Sequence, residues 1–480
     1  MRYQCPRGVF DIIPNHSKEN WQTSHLWDHV ESTIRETAKN WGFQEIRTPI
    51  FERTELFQRS VGEDTDIVTK EMYTFDDRSK RSMTLRPEGT AAVIRSYLEQ
   101  HLDHKAPVQK LFYIGPMFRY ERAQAGRYRQ HHQFGVEAIG VASPEQDAEV
   151  IDLLYTVFSR LGIKDLKIQL NSIGNKETRS EYRKMLREYL GESLQLLSEE
   201  SQTRFQTNPF RILDSKDLRD QEILKNAPPL INYLDEESKE HFENVQMFLK
   251  KLKIPYEINP RLVRGLDYYN RTVFEITTES LGAQNSIAGG GRYDGLIQTL
   301  GGPEIPALGF GAGLERIIQT LINQNSPIPP PQTPVLYLIP LGDDAKNTCF
   351  TLTHQLRADG IFVQMDYSGK KLGKMMTTAN NLGATFVAVV GEEELAKEEV
   401  ELKEMATGTI HKAPLFNLSR ILRVEAKGDD FIEVWKEMNE PFDHPLEASF
   451  FLNKIKHSIE ETSELSETLK DAMKKMEELL

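Results

Sequence analysis

Cysteine is scarce in this chain, whose 480 residues include Cys5 and Cys349 and no other. Two cysteines so far apart in sequence do not indicate a disulfide framework, and they are consistent with a reducing cytoplasm. No grouping of cysteine and histidine has the spacing of a zinc site. The adjacent His131 and His132 would point to opposite faces of a strand. We therefore predict no metal site formed by the protein itself.

Long apolar runs are also missing, since no segment approaches the roughly 18 apolar residues of a membrane helix. The start, MRYQCPRGVFDIIP, lacks a basic-then-apolar signal pattern. We therefore expect a cytoplasmic protein with no membrane partner. Basic residues are outnumbered by acidic ones, 59 to 72, which gives a net charge of −13. This balance argues against an indiscriminate polyanion binder. A local cluster such as Lys370, Lys371 and Lys374 could still contact RNA phosphates, or could be a solvated loop or helix end.

The chain is longer than one hydrophobic core requires, so we expect about two to four units. The proline-rich segment 326–333 is the clearest linker. Before it, residues 1–325 form one unit, in which the Glu-, Lys- and Leu-rich stretch of about 175–250 indicates a helical insertion. After it, 334–429 alternates strands and helices, which predicts a small α/β domain with a mostly parallel sheet. The last segment, 430–480, has the pattern of an amphipathic helix.

Apolar periodicity predicts individual elements in the first unit. Spacing near that of a helix indicates a long helix over Glu19–Asn40, followed by a strand over Phe43–Ile50. Two alternating runs, Leu111–Phe118 and His132–Ile139, predict a pair of antiparallel strands joined by a charged loop. A further strand-rich stretch is expected over Tyr256–Thr278.

Arginines occur in three segments that are distant in sequence. Arg119 follows a predicted strand, Arg264 precedes the strand-like GLDYYNRTVFE, and Arg316 begins a helix after ALGFG. Several guanidinium groups on one sheet would suit a triphosphate, because each offers a planar fork of donors. No GxxxxGK[ST] loop is present, and GFGAG lacks the GxGxxG spacing. The less specific alternatives are a solvated edge hairpin around Arg119 and an ordinary salt bridge on a helix face for Arg316.

Carboxylates and hydroxyls suggest an amino-acid pocket. Glu88 and Thr90 lie on an RPEGT turn between a predicted strand and a helix. Gln133 and Glu137 are four residues apart on a strand and therefore share a face. One carboxylate with an amide and a hydroxyl suits an α-ammonium group, and a second carboxylate suits a side chain that donates protons. Tyrosines 268 and 269 add hydroxyls, although tyrosine on a strand often serves packing alone.

Five segments together resemble a known family: MFRYERAQAGRYRQHHQFGVEAIG, TLRPEGTAAVIR, LVRGLDYYNRTVFE, AGGGRYDGL and ALGFGAGLERI. They are similar to class II aminoacyl-tRNA synthetases, specifically to histidyl-tRNA synthetases, over roughly residues 1–425. FRxE and GxGxxR mark the class, whereas LVRGLDYYNRTVFE is the histidine-specific signature. The resemblance implies an α+β catalytic domain, in which helices flank an antiparallel sheet, with a helical insertion. It also implies a C-terminal α/β anticodon-binding domain, and a helical tail remains beyond the family's usual end.

The resemblance also assigns roles at an ATP site. Arg119 would hold the α-phosphate and the amino-acid carboxylate, and Glu121 would contact adenine. Arg127 and Arg316 would hold the γ-phosphate side of a bent triphosphate. Arg264 would stabilise charge on the α-phosphate during attack. Mg²⁺ accompanies ATP in this family.

The implied histidine pocket and RNA contacts complete the site. The α-ammonium group would be held by Glu88, Thr90 and Gln133. The imidazole would be read by Glu137 and Tyr269, with Tyr268 lining the pocket. A carboxylate at Glu137 accepts from a ring N–H and rejects apolar rings of similar size. In the hairpin loop, Gln124 and Arg129 would meet the tRNA acceptor end.

The implied activity is ATP-dependent attachment of L-histidine to tRNA(His) through histidyl-adenylate. The first helix and the strand containing Pro49 resemble the segment that forms a dimer interface, so we expect a homodimer. The alternative is a non-charging paralogue that binds histidine as a regulatory subunit. An RNA-binding interaction protein, or a class II enzyme for proline or threonine, is a further alternative.

Overall fold

The structure, a computed structural model, describes residues 3–14, 19–62, 65–121, 126–426, 445–446 and 449–452, with positions 474 and 477. It divides into two compact units, Met1–Pro330 and Pro331–Leu480. None of the helices in the described ranges combines the length and the apolar character that a membrane span needs.

The strands of the first unit are β1 (Gln44–Glu45), β2 (Phe51–Arg53), β3 (Tyr73–Asp76), β4 (Ser82–Leu85), β5 (Gln109–Phe118), β6 (Gln130–Ile139), β7 (Leu166–Ser172), β8 (Glu257–Ile258), β9 (Asn270–Thr278), β10 (Ser286–Arg292) and β11 (Ala307–Gly313). Its α-helices are α1 (Ser24–Asn40), α2 (Thr54–Val61), α3 (Thr90–Glu99), α4 (Pro144–Arg160), α5 (Lys176–Gly191), α6 (Glu199–Thr207), α7 (Leu218–Leu224), α8 (Glu236–Lys251), α9 (Leu296–Thr299) and α10 (Leu314–Asn323). Together they form a sheet covered by helices, in agreement with the predicted α+β class.

Eight strands form the main sheet in the order β1-β5-β6-β11-β10-β9-β7-β8. The interior pairs are antiparallel, and only the two-residue strands β1 and β8 pair in parallel at the edges. The predicted hairpin is confirmed, with Leu111 opposite Glu137. Strands β2, β4 and β3 form a separate three-stranded sheet.

Strand β6 shows why one face of the sheet is core and the other is available for a site. Phe134, Val136 and Ala138 are buried in the main hydrophobic cluster, which also contains side chains from α1, α4, α8 and α10. Because side chains alternate along a strand, Gln133 and Glu137 lie on the opposite face. The period of two therefore places polar groups together on the side away from the core.

Two predictions for the region before β2 need correction. The long helix begins at Ser24, not at residue 19, and Asn20–Gln22 forms a 3₁₀ turn. The strand expected over Phe43–Ile50 is present only at Gln44–Glu45, and its last hydrogen bond to β5 runs from the Ile46 N–H to the Phe112 carbonyl at 2.8 Å. Beyond that point, the Arg86 guanidinium donates a hydrogen bond to the Thr48 carbonyl oxygen at 3.0 Å. A side chain thus replaces the neighbouring strand as the hydrogen-bond partner.

The stretch Tyr256–Thr278 is less strand-rich than predicted. It holds the two-residue β8 and then β9, and residues 259–269 between them form turns and irregular backbone. The Leu262 carbonyl accepts a hydrogen bond from the Asn171 side chain at 3.0 Å. Arg264 therefore lies in a loop, and the strand-like LVRGLDYYNRTVFE becomes a strand only from Asn270.

The predicted helical insertion is helical, but its parts pack differently. Helix α5 buries Tyr182 and Leu186 in a cluster separate from the main core. Helix α8 buries Phe242, Val245 and Leu249 in the main core. The last helix of the predicted insertion is therefore an integral layer of the sheet domain.

A buried ionic network ties α4, α8 and β10 together. The Asp147 carboxylate lies 2.6 Å from the Arg292 guanidinium and 2.8 Å from Nε2 of His241. The side chains of Asp147 and Arg292 are both fully buried. Burial alone would raise the pKa of Asp147, but Arg292 and the His241 hydrogen bond hold it below its ordinary value. The arginine of the GGGRYDGL motif is thus a structural group.

We predict that Asp147→Ala lowers the free energy of unfolding by about 3–5 kcal/mol, because it leaves the Arg292 charge buried without its partner. Chemical denaturation of both proteins measures the difference. The matched control is Glu145→Ala, which removes an exposed carboxylate from the same helix and should change stability by less than about 0.5 kcal/mol. Equal stability of the Asp147 variant and the control would contradict this assignment.

The second unit contains β12 (Leu336–Pro340), β13 (Val363–Met365), β14 (Phe386–Val390), β15 (Glu399–Glu404) and β16 (Ile410–Pro414), with α11 (Asp343–Ala358), α12 (Leu372–Asn381), α13 (Glu392–Lys397) and α14 (Leu418–Ala426). The sheet order is β13-β12-β14-β15-β16. The first three strands are parallel, as predicted. The last two pairings are antiparallel, so the expectation of a mostly parallel sheet is wrong for half of the pairs.

The expected amphipathic helix over 430–480 lies largely outside the described residues. Within it, Phe450, Phe451 and Leu452 are buried in the core of the second unit. The Phe450 ring lies 5.3 Å from His411 and 6.4 Å from Phe386, measured between ring centroids. This short segment is therefore part of the hydrophobic core of the second unit.

We predict that Phe451→Ala destabilises the second unit by about 3–5 kcal/mol, because the side chain is fully buried and its loss leaves a cavity. Thermal unfolding measures the shift. Phe416→Ala is the matched control, since that ring is 59% exposed in the same unit. A Phe451 variant as stable as the Phe416 variant would show that the segment is dispensable for stability.

Candidate active site

The arginines singled out by sequence converge on one cavity. Its volume is about 280 Å³, and its wall includes Arg119, Arg264 and Arg316 together with residues of β6, β10 and β11. These arginines come from the end of β5, from the loop before β9 and from the first turn of α10. The sheet brings side chains nearly 200 positions apart to one place. Three guanidinium groups around one space form a site for a polyanion.

Arg119 and Arg316 are held by backbone carbonyls. Nε of Arg119 donates to the Pro87 carbonyl at 2.8 Å. Arg316 donates to the Ser286 carbonyl at 2.5 Å and to the Gly126 carbonyl at 3.3 Å. Burial, followed by the nearby Arg127 charge, lowers the pKa of Arg316. Among the described residues, its hydrogen bonds go to carbonyl oxygens, and no salt bridge on the helix face is formed.

Arg264 lies flat against the glycine-rich strand β10. A Cβ atom added at Gly289 would lie 2.4 Å from Nη2 of Arg264, so any larger residue would displace the guanidinium. Its closest recorded carboxylate is Glu275, at 3.8 Å. Nε of Arg264 is buried and has no hydrogen-bond partner among the described residues. The group is therefore positioned but has donor capacity left for a ligand.

The charged loop of the hairpin is only partly described. Glu121 and Arg127 line the cavity, with 3.4 Å between Oε2 of Glu121 and Nε of Arg127. The Arg129 guanidinium lies 4.1 Å from the centroid of the Tyr120 ring, a cation–π contact. Gln124 lies outside the described residues.

A second cluster, buried on the same side of the sheet, contains the predicted amino-acid contacts. The Glu88 carboxylate accepts from the backbone N–H groups of Thr90 and Ala91, at 2.7 and 2.8 Å, at the start of α3. Oγ1 of Thr90 donates to Oε1 of Glu137 at 2.7 Å. Burial raises the pKa of Glu88. The two carboxylates are thus linked through a single threonine.

Glu137 is fully buried and surrounded by hydroxyl donors. Besides Thr90, Tyr293 donates to Oε2, and Tyr113 donates to Oε1 at 3.5 Å. Burial raises the pKa of Glu137 to about 8. A Cβ atom at Gly309 would lie 2.2 Å from its Oε2, so the carboxylate needs that glycine beside it.

Aromatic rings and an amide form the rest of this cluster. The ring centroids of Tyr268 and Tyr269 are 4.7 Å apart, and Tyr268 lies 5.5 Å from Tyr293. Gln133 lines the arginine cavity, and its Oε1 has no hydrogen-bond partner among the described residues. Of the six residues predicted for the amino acid, Gln133 is the one in the cavity wall. The other five lie in the buried cluster.

Comparison with known proteins identifies the family to which this chain is similar. The family profile described as histidyl-tRNA synthetase matches residues 19–317, and the profile described as anticodon binding domain matches residues 336–425. A histidine–tRNA ligase from Protochlamydia amoebophila is 60% identical over 423 residues, which is 88% of this chain and 100% of the relative. The enzyme of the same name from Chlamydia pneumoniae is 51% identical and covers 85% of this chain and 94% of its own length.

The chain belongs to the histidyl-tRNA synthetase family. Its fold also matches the crystal structure of apo S. aureus histidyl-tRNA synthetase, with a TM-score of 0.74 and 36% identity. That match covers 88% of this chain and 100% of the other.

In this histidyl-tRNA synthetase fold, several site residues were not assigned from sequence. His131 and Glu315 line the arginine cavity. Burial lowers the pKa of His131 to about 3, so its imidazole is neutral. Glu315 accepts from the backbone N–H and from Nδ1 of His132, at 2.7 and 3.0 Å. The His132 ring packs against Trp27, which confirms that the two histidines face opposite sides.

Tyr113 and Tyr293 are two more residues of the candidate site that were not predicted from sequence. Tyr293 belongs to the RYDGL segment, which was quoted for the family but given no role. Tyr113 lies opposite Gly135 in the β5–β6 register. A Cβ atom at Gly135 would lie 2.2 Å from the Tyr113 ring, so that glycine makes room for the ring. A tyrosine facing a glycine across a hairpin is the signal that could have indicated it.

Proposed function

We propose that this chain attaches L-histidine to tRNA(His) at the expense of ATP, through a histidyl-adenylate intermediate. The observation that carries the proposal is the convergence of Arg119, Arg264 and Arg316 on one cavity, next to the buried cluster around Glu137. The first group of residues suits a bent triphosphate, and the second suits an amino acid whose side chain donates hydrogen bonds.

We propose the following roles around ATP. Arg119 holds the α-phosphate and the histidine carboxylate, and Glu121 contacts adenine. Arg127 and Arg316 hold the γ-phosphate side. Arg264 stabilises the charge that develops on the α-phosphate. The buried Nε of Arg264, which has no hydrogen-bond partner among the described residues, supports this role.

We propose that Glu88, Thr90 and Gln133 hold the α-ammonium group. Glu137 and Tyr269 read the imidazole, and Tyr268 lines the pocket. The unsatisfied amide oxygen of Gln133 supports its part, because an ammonium group would supply the missing donor.

The reaction then proceeds in two steps. The histidine carboxylate oxygen attacks the α-phosphorus of ATP, and pyrophosphate leaves. The terminal ribose hydroxyl of the tRNA next attacks the carbonyl carbon of histidyl-adenylate, and AMP leaves. The first step needs positioning and charge stabilisation more than proton transfer, which is what arginines can supply.

We propose that Mg²⁺ accompanies ATP. The cavity wall includes the carboxylates of Glu121 and Glu315, and oxygen is the ligand atom that Mg²⁺ prefers. Oε2 of Glu121 lies 3.4 Å from Nε of Arg127 and accepts no hydrogen bond among the described residues. When bound, the ion would neutralise phosphate charge.

The remaining assignments concern partners and organisation. Gln124 and Arg129 would contact the tRNA acceptor end. Residues 1–325 would form the catalytic domain, 326–333 the linker and 334–429 the anticodon-binding domain. We propose a cytoplasmic homodimer. Phe51, two positions after Pro49, and Phe75 are both exposed, and their ring centroids are 6.2 Å apart. This exposed aromatic pair supports an interface near the strand that follows Pro49.

The deciding experiment is ATP–pyrophosphate exchange with each of the twenty amino acids, followed by charging of tRNA(His). Exchange that depends on histidine, together with charging, is expected. A non-charging paralogue would bind histidine without charging RNA. The presence of all three arginines and of the match to an anticodon-binding domain over residues 336–425 argues against it. Exchange driven by proline or threonine would overturn the histidine assignment.

A further inference from the structure

The loop that carries Arg264, residues 262–269, accepts hydrogen bonds from side chains of the helical insertion. Nη1 of Arg211 donates to the Gly265 carbonyl at 2.6 Å, next to Arg264 in the chain. Nη1 of Arg179 donates to the Tyr269 carbonyl at 2.7 Å and lies 3.4 Å from the Asp267 carbonyl. We call residues 262–269 the Arg264 loop.

Further contacts come from the same side. The Asn208 amide donates to Oδ1 of Asp267 at 2.8 Å. Arg179 lies on α5, and Asn208 and Arg211 follow α6. These side chains and the loop together line a cavity of about 120 Å³, and Arg264 lines both this cavity and the one proposed for ATP. The insertion therefore hydrogen-bonds directly to the loop that carries Arg264.

The Arg264 side chain itself has weak tethers. Its recorded ion pair, with Glu275, is long at 3.8 Å, and Nε has no hydrogen-bond partner among the described residues. Residues 262–269 contain no helix or strand. Apart from its packing against Gly289, the Arg264 guanidinium is therefore positioned by where its backbone is held. The Arg211 side chain makes the hydrogen bond nearest to Arg264 along the chain, to the carbonyl of the next residue, Gly265.

We propose that Arg211 and Arg179 are positioning residues, which fix the Arg264 loop so that its side chains meet the substrates. Arg211 sets the placement of Arg264, and Arg179 sets the placement of Tyr269. This inference rests on the proposed function. It gives the helical insertion a part in adenylate formation.

The two arginines should have different kinetic signatures. Arg211→Ala should lower kcat for histidine-dependent pyrophosphate exchange by about 100-fold, since small displacements of a reacting group are costly, with little change in the KM for histidine. Arg179→Ala should chiefly raise that KM, by about tenfold, because it releases the Tyr269 backbone. The lysine variants should recover part of each loss, because an ammonium group can still donate to one carbonyl.

The matched control is Arg187→Ala. Arg187 also lies on α5 and also donates to a backbone carbonyl, that of Gln206 at 3.2 Å, but this bond stays inside the insertion. The control should retain both kinetic constants. Unchanged kinetics in the Arg211 and Arg179 variants, or equal losses in the control, would overturn the proposal.

Hydrogen–deuterium exchange of the free protein tests the same idea without activity. Deuterium uptake of the Arg264 loop should rise in Arg211→Ala and Arg179→Ala and should not rise in Arg187→Ala. Loop uptake equal to that of the unmodified protein would overturn the proposal. If the unmodified protein shows no histidine-dependent exchange, the proposed function fails, while the deuterium measurement still decides whether the loop is held in this way.

Discussion

Replacing Arg264 with alanine is expected to reduce the rate of histidine-dependent pyrophosphate exchange by about 10³-fold, at the upper end of the effect of removing one donor from a developing anion. The guanidinium lies in the wall of the cavity shared with Arg119 and Arg316. It is the group of the three with an unused buried N–H. Because its pairing with Glu275 is long, at 3.8 Å, the thermal unfolding midpoint should change little.

Two further variants make this prediction specific. Arg261→Ala removes the same charge three positions earlier, from an exposed side chain, and should leave exchange within about twofold of normal. Arg264→Lys keeps the charge but loses the planar fork, so it should recover only part of the rate. Near-normal exchange in Arg264→Ala would remove the catalytic assignment.

The parts of the fold that sequence predicted are those with a strong local period. Strands β5 and β6 contain the predicted runs Leu111–Phe118 and His132–Ile139, and the structure pairs them as predicted. Strands β15 and β16 were missed because their exposed positions carry charged residues such as Glu401 and Lys403, which look like loop composition. The strand expected over Phe43–Ile50 ends early because the Arg86 side chain, distant in sequence, donates to the Thr48 carbonyl where a neighbouring strand would otherwise pair.

The candidate site was predictable where a motif ends a strand or begins a helix. Arg119 and Arg316 are of that kind. Arg264 was expected directly before a strand, but it lies in a loop several residues ahead of β9, and its surroundings depend on the insertion. The role of the glycines was not predictable, because which side chain each glycine admits depends on the register of β6, β10 and β11, as for Gly309 opposite Glu137.

Tyr113 and Tyr293 were not predicted because their contacts with Glu137 also depend on how the strands pair. Tyr293 reaches Glu137 across 156 positions of sequence, and nothing local to either residue indicates the contact. The signature segment specified the chemistry of the pocket, while the donors that surround its central carboxylate come from the packing of the whole sheet.

Ionisation of Glu137 should be visible in stability. Its pKa in the folded protein is about 8, above the ordinary 4.5, because of burial. The folded state therefore keeps a proton that the unfolded state releases between these values. The contribution to stability is fully present below pH 4.5 and is lost as the pH rises through 8. In Glu137→Gln, which cannot ionise, this decline should be absent. Thermal unfolding of both proteins from pH 5 to 8 measures the difference.

The same substitution should have a large effect on activity. Glu137→Gln is expected to lower kcat/KM for histidine by about 10³-fold, because the amide oxygen is an uncharged, weaker acceptor for an imidazole N–H and the new NH2 group faces the buried hydroxyl donors of Thr90 and Tyr293, which leaves polar groups unsatisfied. The KM for ATP should change much less, since Glu137 lies in the cluster with Thr90 and Tyr293 and not in the wall of the arginine cavity.

The pH profile makes this prediction specific to ionisation. In the unmodified protein, kcat/KM for histidine should rise as the pH approaches about 8, because the ionised carboxylate of Glu137 is the better acceptor. Glu137→Gln should lose that rising limb. A limb that arises from the amino group of histidine itself would persist in the variant, so the pair of profiles separates the two causes. Identical profiles, or an undiminished kcat/KM in the variant, would show that another group reads the imidazole.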